Sequence, residues 1–276
     1  MSGFLERMAA ASRVRVERAQ AAVPERVLLD RARAAPPPPP LPPTAPFAVI
    51  AEVKLRSPAA GALAADGPFD LAAQLDAYAA GGAAAISVLT EPDEFHGRIA
   101  HLETAAARLA PHGRPVMRKD FLVDPYQVLE ARAAGAGGVL VIVTMLDDDR
   151  VRALVDCAAE HGLFVLLEGF DRADLERIAK LAERPGARLL CGVNCRDLRT
   201  LAVDFARFEA LAPHLPATLP AVAESGIGGE EDASRVAELG YELALVGSAL
   251  MRAGRPRDML ERLLAAGRAG VAARGA

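Results

Sequence analysis

Short apolar runs recur along the chain from residue 47 onward and alternate with segments of helical character. We count eight of them: "FAVIAEV", "AAAISVL", "PVMR", "GVLVIV", "LFVLLE", "RLLCGVN", "PAVAE" and "LALVG". Between them lie stretches rich in Ala, Leu, Arg and Glu, such as "PYQVLEARAAG" and "DRADLERIAKLAE". Continuous apolar runs are typical of parallel strands buried on both faces, and their alternation with helices indicates βα units.

The number and length of these units predict the fold class α/β, with a (β/α)8 TIM barrel over residues 47–270. Eight strand–helix units in about 230 residues have the size of such a barrel. An open doubly wound sheet is the alternative, and it would normally carry a glycine-rich dinucleotide turn after its first strand. The segment "EVKLRSPAAG", which stands in that place, is no such turn.

Residues 1–46, ahead of the barrel, are predicted to form an N-terminal helical extension and a proline-rich connector. Residues 3–33 have a helical composition that is interrupted at Pro24. The run "PPPPPLPP", Pro36 to Pro43, fits neither a helix nor a central strand and favours extended polyproline II. It could serve as a ligand for a proline-binding domain. Because a strand follows at once, we interpret it as a stiff connector.

Composition and charge argue against several classes of function. A net charge of -4 over 276 residues gives no general attraction to nucleic acid. No apolar stretch has the length of a signal-peptide core or a membrane span. The three cysteines form an odd, sparse set that indicates a reducing compartment, so we expect a cytoplasmic protein, as a monomer or weak homodimer. Cys191 and Cys195 lack a clustered histidine, which favours small core residues over zinc ligands.

Charged and polar residues stand at the ends of most predicted strands, where barrels of this kind build their active sites. Glu52 and Lys54 end the first strand, and a spacing of two places both side chains on one face. Lys119 ends the third strand. The other strand-end residues are Glu168 (fifth), Asn194 and Arg196 (sixth), Glu224 and Ser225 (seventh), and Gly247 and Ser248 (eighth).

The coincidence of these groups matters more than any one of them. A single charge at a strand end is usually a solvated rim residue, but here three cations accompany three carboxylates. Isolated buried charges are very unfavourable, whereas an alternating network can satisfy itself. Such a network also perturbs pKa values, as acid–base catalysis requires. We expect a lysine near other cations, in a partly dry site, to have a lowered pKa and to donate a proton near neutrality.

The ends of the seventh and eighth strands predict a phosphate site. "ESGIGG" and "VGSALM" supply glycines, hydroxyls and backbone N–H groups at helix starts, the usual place for phosphate in such barrels. "GSA" alone is equally compatible with a helix cap. Two such loops next to each other favour a phosphate site, to which Ser57 could add a hydroxyl. No metal-binding motif is present. The residues by themselves therefore predict metal-free acid–base chemistry on a small phosphorylated anion.

A set of motifs gives the chain its resemblance to the indole-3-glycerol phosphate synthase family, from about Phe47 to Pro256. The segments follow in the family's order: "IAEVKLRSPAAG", "ISVLTEPDEF", "PVMRKDFLVDPYQVLEARAAGAGGVLVIV", "GVNCRDLRTLAVDF", "AESGI" and "LVGSALMR". The motifs E-x-K-x-x-S-P, R-K-D-F and N-x-R-D-L are highly specific as a set. The helical extension before the barrel also resembles this family.

The resemblance implies a carboxy-lyase of tryptophan biosynthesis that uses no cofactor. Its substrate, 1-(2-carboxyphenylamino)-1-deoxyribulose 5-phosphate, becomes indole-3-glycerol phosphate with loss of CO2 and water. By resemblance, Lys119 is the general acid, Lys54 holds the carboxylate and donates a proton in the dehydration, and Glu52 and Glu168 share undivided roles as base and stabiliser. The other matches are Asn194 and Arg196 for orientation, Glu224 and Ser225 near the substrate hydroxyls, and Ser57, Gly226, Gly247 and Ser248 for the phosphate.

The chain departs from the family pattern at four places. Cys195 replaces a second asparagine, Gly137 replaces an aspartate, "EPDEFHGRIAHL" alters an F-x-G-S segment, and "LLEGF" lacks the usual E-V-H after Glu168. None of these removes a proton-transfer residue, but a paralogue in a specialised tryptophan-derived pathway stays open.

Two other functions are weighed against this one. A barrel like phosphoribosylanthranilate isomerase would be expected to carry a cysteine at the end of the first strand and an aspartate after the sixth. The first of these places holds Glu52 and Lys54 instead. A non-catalytic binding subunit would have no need of two matched acid–base pairs.

Overall fold

The polypeptide closes eight parallel strands into a barrel. The computed structural model describes residues 3–44, 46–57, 61–62, 69–182, 184, 186–197, 200 and 202–275. The strands are β1 (Ala48–Val53), β2 (Arg56–Ser57), β3 (Gly61–Ala62), β4 (Ala85–Leu89), β5 (Val116–Lys119), β6 (Gly138–Ile142), β7 (Phe164–Gly169), β8 (Arg188–Asn194), β9 (Ala221–Glu224) and β10 (Leu243–Val246). The barrel order is β1-β10-β9-β8-β7-β6-β5-β4, closed by β1 against β4, and β2 pairs with β3 as an antiparallel hairpin. The predicted barrel is confirmed.

Helices follow the barrel strands, and two more precede the barrel. They are α1 (Gly3–Ala22), α2 (Glu25–Ala34), α3 (Leu71–Ala80), α4 (Ile99–Leu109), α5 (Pro125–Ala133), α6 (Asp148–Glu160), α7 (Arg172–Ala179), α8 (Ala206–Leu211), α9 (Glu230–Glu238), α10 (Ser248–Arg252) and α11 (Pro256–Arg274). Short 3-10 turns cover Ala110–His112, Val143–Met145 and Ala212–His214. In the part of the chain given above, no helix combines the length and apolarity needed to cross a bilayer.

The sequence dictates both kinds of element locally. Strand β1 reads AVIAEV and is buried along its whole length, as expected of a strand that has the barrel interior on one side and helices on the other. Helices α3, α5, α6 and α7 each begin after an aspartate whose carboxylate accepts a backbone N–H of the first turn, namely Asp70, Asp124, Asp147 and Asp171. Such caps satisfy donors that the helix itself leaves unpaired and so fix where each helix starts.

The N-terminal extension packs along α5 on the outside of the barrel. The interruption predicted at Pro24 is observed, because α1 ends at Ala22 and Pro24 caps α2. The Tyr126 hydroxyl on α5 lies 3.0 Å from the carbonyl oxygen of Ala19 and 2.8 Å from that of Val23, and it can donate to either. Gln127 donates from Nε2 to Ser12 Oγ, 2.9 Å away. These contacts fix α1 to the barrel.

The proline run carries the chain from α2 to the first barrel strand. Arg132 donates to the carbonyl oxygen of Ala35 just before the run, and Leu41 within it packs against the core. Pro38 and Pro39 lie against Gly137, where a Cβ atom would be 3.3 Å from Pro38 Cβ and 3.2 Å from the Pro39 carbonyl oxygen. This packing supports the connector interpretation. It also gives a physical reason for glycine in place of the family's aspartate.

The predicted domain limits stay predictions. The division at residue 46 falls just ahead of β1, which begins at Ala48. The limit at residue 270 falls inside α11, which continues to Arg274.

Replacing Gly137 with alanine should destabilise the protein. The new Cβ would also lie 2.9 Å from Pro115 Cβ, and none of the three prolines around it can yield without moving backbone. We expect the free energy of unfolding to fall by about 1–3 kcal/mol, as for other overpacked sites, measured by urea denaturation. Gly254→Ala is the matched control, since a Cβ there would meet nothing within 4 Å. Equal stability of the two variants would contradict the packing of the connector on this position.

Candidate active site

A cavity of about 730 Å³ opens at the carboxyl ends of the barrel strands. Most of the residues predicted for the site share it, although they come from distant parts of the chain. Those that line it are Glu52, Lys54, Lys119, Glu168, Asn194, Arg196, Ser225, Gly226, Gly247 and Ser248. The predicted convergence of the strand ends is therefore observed.

Lys119 stands at the centre of the charged groups. Its Nζ lies 2.9 Å from Glu224 Oε2, 3.6 Å from Glu168 Oε2 and 3.8 Å from Glu52 Oε2. The lysine side chain is 16% exposed, and the three carboxylate side chains are at most 4% exposed. Three carboxyl groups from three different strands thus surround one cation in a nearly dry site.

The expectation of a lowered lysine pKa is wrong for Lys119. Burial by itself disfavours the ammonium ion, but the carboxylates of Glu224, Glu168 and Glu52 outweigh it and raise the pKa of Lys119 above its ordinary value. The expectation considered neighbouring cations, whereas the nearest neighbours are carboxyl groups. Lys119 is therefore a firmly protonated group.

Glu52 and Lys54 both face the cavity, as their spacing predicts. Lys54 Nζ lies 2.6 Å from Glu52 Oε1, although β1 itself ends at Val53. Burial would raise the pKa of Glu52, but Lys54, Lys119 and Arg196 together lower it below its ordinary value. Glu52 is accordingly a carboxylate held between two ammonium groups.

Asn194 fixes the carboxylate of Glu168. Its Nδ2 donates to Glu168 Oε1 at 3.1 Å, and its Oδ1 accepts the backbone N–H of Arg196 at 2.9 Å. The second bond sets which end of the amide faces the carboxylate. Arg196 lies beyond the end of β8, where it forms an isolated bridge with Val203, and it lines the cavity.

Glu224 lies beneath Lys119 and is fully buried. Burial raises its pKa to about 8, with a further contribution from the like charge of Glu168, while Lys119 acts in the opposite direction. The site therefore contains carboxyl groups whose pKa values are shifted in opposite directions. Glu52 stays ionised, and Glu224 holds a proton near neutral pH.

The residues predicted to bind phosphate line one side of the cavity. Ser225 and Gly226 form a turn with positive φ values of 69° and 74°, and Gly247 and Ser248 lie where β10 passes into α10. The backbone of Ser57 belongs to β2, but its side chain lies outside the described residues.

An apolar wall that strand-end reasoning missed faces the polar groups. Phe4 of α1 packs edge-to-face on Phe121, with ring centroids 5.9 Å apart, and Phe95 lies 6.3 Å from Phe121. Leu140 and Ile142 continue this wall along β6. Phe121 belongs to the "RKDF" segment, so that motif could have pointed to the wall. Nothing in the sequence places Phe4 there, because Phe4 is more than 110 residues from Phe121.

A second group that sequence reasoning missed holds the "RKDF" segment in place. Asp120 accepts hydrogen bonds from Thr90 Oγ1 at 2.7 Å, from Arg15 at 2.9 Å and from Arg118 at 3.2 Å. Arg15 belongs to α1 and also lies 3.6 Å from Glu91. This network ties α1 and the end of β4 to the residue next to Lys119.

The cysteines are free thiols, and Cys191 and Cys195 are buried. Burial raises the pKa of Cys195 to about 12, so this departure from the family pattern adds no reactive thiolate. Among the described residues, no group of three His, Cys, Asp or Glu side chains is arranged to hold a metal ion.

Comparison with known proteins gives consistent matches. The family model for indole-3-glycerol phosphate synthase matches residues 5–263. Relatives with that name come from Nocardioides sp. (49% identical over 216 residues, 78% of this chain and 79% of the relative) and Rhizorhabdus wittichii (44% over 206 residues, 75% and 74%). A solved structure of 3-hexulose-6-phosphate synthase from Salmonella typhimurium superposes with a TM-score of 0.62 at 13% identity, over 81% of this chain and 100% of that chain. At that identity it shows the fold alone.

Glu224 should make the protein less stable as the pH rises from about 5 to 8. Its folded-state pKa of about 8 lies above the ordinary 4.5, so in this range the folded protein keeps a proton that the unfolded chain has lost. Relative to Glu224→Gln, the free energy of unfolding should therefore fall by up to about 1.4 kcal/mol per pH unit, measured by urea denaturation.

The other two groups of the Lys119 network with shifted pKa values, Glu52 and Lys119 itself, do not titrate in this pH window. The stabilisation from the lowered pKa of Glu52 is lost only below about 4.5, and that from the raised pKa of Lys119 only above about 10.5. A difference between the two proteins that is flat, or that grows with pH, would contradict the raised pKa of Glu224.

Proposed function

The chain belongs to the indole-3-glycerol phosphate synthase family, and we propose from this premise how its residues divide the reaction of that family. That reaction converts 1-(2-carboxyphenylamino)-1-deoxyribulose 5-phosphate to indole-3-glycerol phosphate, with loss of CO2 and water, in tryptophan biosynthesis. The observation that carries the proposal is Lys119, an ammonium group that faces a ligand-sized cavity and has carboxylates from three strands within 4 Å.

The choice of lysine supports proton transfer at this position. Lys54, Lys119 and Lys180 are the lysines of a chain whose other basic side chains are nearly all arginine, and two of the three line the cavity. Arginine binds anions at least as well, but its guanidinium does not give up a proton in proteins. Two of the three lysines therefore lie where the proposed reaction transfers a proton.

Lys119 is the general acid for ring closure. As the carbon that bears the carboxylate attacks the ribulose carbonyl, negative charge grows on the carbonyl oxygen. A protonated lysine stabilises that charge and then transfers its proton, because an alkoxide is a stronger base than an amine. The carboxylates that raise the pKa of Lys119 ensure that the proton is present at the start.

The remaining steps need a carboxylate base and a second acid. Expulsion of CO2 restores the aromatic ring, and loss of the hydroxyl as water requires a proton on the leaving oxygen and removal of one from the adjacent carbon or nitrogen. Lys54 is the second acid, and its Nζ forms an ion pair with Glu52 Oε1, 2.6 Å away. Either Glu52 or Glu168 can act as the base. Because both interact with Lys119, the role is assigned to the pair rather than to one of them.

Binding at both ends of the substrate orients the reacting atoms. Ser57, Ser225, Gly226, Gly247 and Ser248 are proposed to take the phosphate. The carboxyphenyl ring then packs on the apolar wall, where Phe4 and Phe121 stack. Asn194 and Arg196 line the same cavity. Energy from the phosphate and the ring can thus hold the attacking carbon against the carbonyl.

The other functions considered for this chain are not favoured. The relatives are named as indole-3-glycerol phosphate synthases rather than isomerases or binding subunits. The free cysteines support a reducing, cytoplasmic setting. A monomer or weak homodimer remains our expectation for the oligomeric state, which sedimentation would measure.

Lys119→Met should abolish indole formation and preserve ligand binding. Loss of a general acid costs about 10²- to 10⁴-fold in kcat, and methionine keeps the length of the side chain without its proton. Indole fluorescence after addition of the carboxyphenylamino substrate measures turnover, and competition by inorganic phosphate measures binding. Lys180→Met, on the exposed end of α7, is the control. Normal turnover in folded Lys119→Met would contradict the assignment.

Phe4→Ala should weaken substrate binding and leave phosphate binding unchanged. The variant removes one face of the apolar wall, so we expect KM to rise about 10-fold, which corresponds to about 1.4 kcal/mol. The inhibition constant of inorganic phosphate should stay constant, because phosphate alone does not reach the wall. Val14→Ala, an exposed position on the same helix, is the control. An unchanged KM in Phe4→Ala would remove α1 from the binding site.

A further inference from the structure

We infer that Gly192 is a positioning residue whose missing side chain makes the space in which the Glu224 carboxyl group lies beside Lys119. Gly192 is in β8, and Glu224 is at the end of the neighbouring strand β9. The strands pair in parallel with Gly192 opposite Val222 and Asn194 opposite Glu224. The inference rests on the proposed function only in so far as Glu224 contributes to catalysis through Lys119.

The geometry at Gly192 leaves no room for a methyl group. A Cβ built there would lie closer than 3.0 Å to Glu224 Oε1, a separation that real Cβ atoms essentially never show. It would also be 3.3 Å from Glu224 Cδ and 3.0 Å from Leu166 Cδ1. The backbone of Gly192 does not require glycine for its conformation, since its φ is not in the left-handed region. The need for glycine at this position is therefore a need for space.

The space is filled by the carboxyl group of Glu224. Glu224 Oε1 is fully buried and accepts no hydrogen bond from the described residues, while Oε2 accepts from Lys119 at 2.9 Å. An added methyl group would have to move the carboxyl group by roughly an ångström, because β8 and β9 are joined by backbone hydrogen bonds. A shift of that size changes the distance to Lys119, the nearest cation.

The same arrangement occurs at the next pair of strands around the barrel. Gly247 follows β10, which pairs with β1, and a Cβ on Gly247 would overlap Glu52 Oε1 and approach Lys54 Nζ to 2.9 Å. In both cases, a carboxyl oxygen thus lies where the side chain of a residue other than glycine would begin on the neighbouring segment. Gly192 is the better test of this arrangement, because Gly247 is also proposed to bind phosphate.

A double-mutant cycle separates an effect through Glu224 from general damage to β8. The four proteins are wild type, Gly192→Ala, Glu224→Ala and Gly192→Ala/Glu224→Ala. In the wild-type background we expect Gly192→Ala to lower kcat about 10- to 100-fold, as for an ångström-scale misplacement, with KM changed much less. In the Glu224→Ala background the same substitution should change kcat by less than about 2-fold, because the overlapping group is gone.

The free energy of unfolding gives a second cycle that does not depend on activity. Urea denaturation should show that Gly192→Ala destabilises the wild type and has little effect on Glu224→Ala. Gly138→Ala is the control, since its Cβ would overlap the ring of Phe164 on β7 and avoid the carboxyl groups. Its effect should be additive with Glu224→Ala.

The outcomes distinguish the possible failures. If Gly192→Ala does not fold but the double variant folds like Glu224→Ala, the inference holds. Equal losses of stability from Gly192→Ala in both backgrounds would overturn the inference. The loss would then arise from the contact with Leu166 or from distortion of β8. If Glu224→Ala retains full kcat, the catalytic role of Glu224 fails, while coupling in the stability cycle still tests whether Gly192 makes room for the carboxyl group.

Discussion

The barrel mouth depends on one electrostatic constraint, which is that a buried ammonium group needs carboxylates around it. Lys119 satisfies this constraint with Glu52, Glu168 and Glu224, which arrive on β1, β7 and β9. No single strand could supply them, because side chains on one strand face the interior only at every second position. Closure of the barrel is therefore a condition for the charge network as well as for the core.

The network also separates the properties of chemically similar groups. Glu52, between Lys54 and Lys119, has a lowered pKa, whereas Glu224, deeper and closer to Glu168, has a raised one. The difference arises from the number of cations that each carboxyl group contacts and from its burial, since the residue type is the same. A site with a protonated lysine, one carboxyl group of lowered pKa and one of raised pKa can donate and accept protons without a metal ion.

The N-terminal extension belongs to the site rather than only leading to it. Phe4 supplies part of the apolar wall, and Arg15 on the same helix binds Asp120, the neighbour of Lys119. The proline run returns the chain from α2 to the start of β1 and packs on Gly137. Near the end of α1, the Tyr126 hydroxyl contacts the carbonyl oxygens of Ala19 and Val23. These contacts let a segment outside the barrel present an aromatic ring to the cavity.

Apolar periodicity, residue spacing and proline chemistry are local properties of the chain, so they were enough to predict the barrel, the strand-end residues and the break at Pro24. Residue spacing also indicated that Glu52 and Lys54 share a face. The groups that surround Lys119, and hence the direction in which its pKa shifts, depend on distances between residues up to 105 positions apart in the chain. Local properties of the sequence do not determine such distances. The same holds for Phe4, Asp120 and Gly192, whose roles come from contacts with side chains that are remote in sequence or lie on a neighbouring strand.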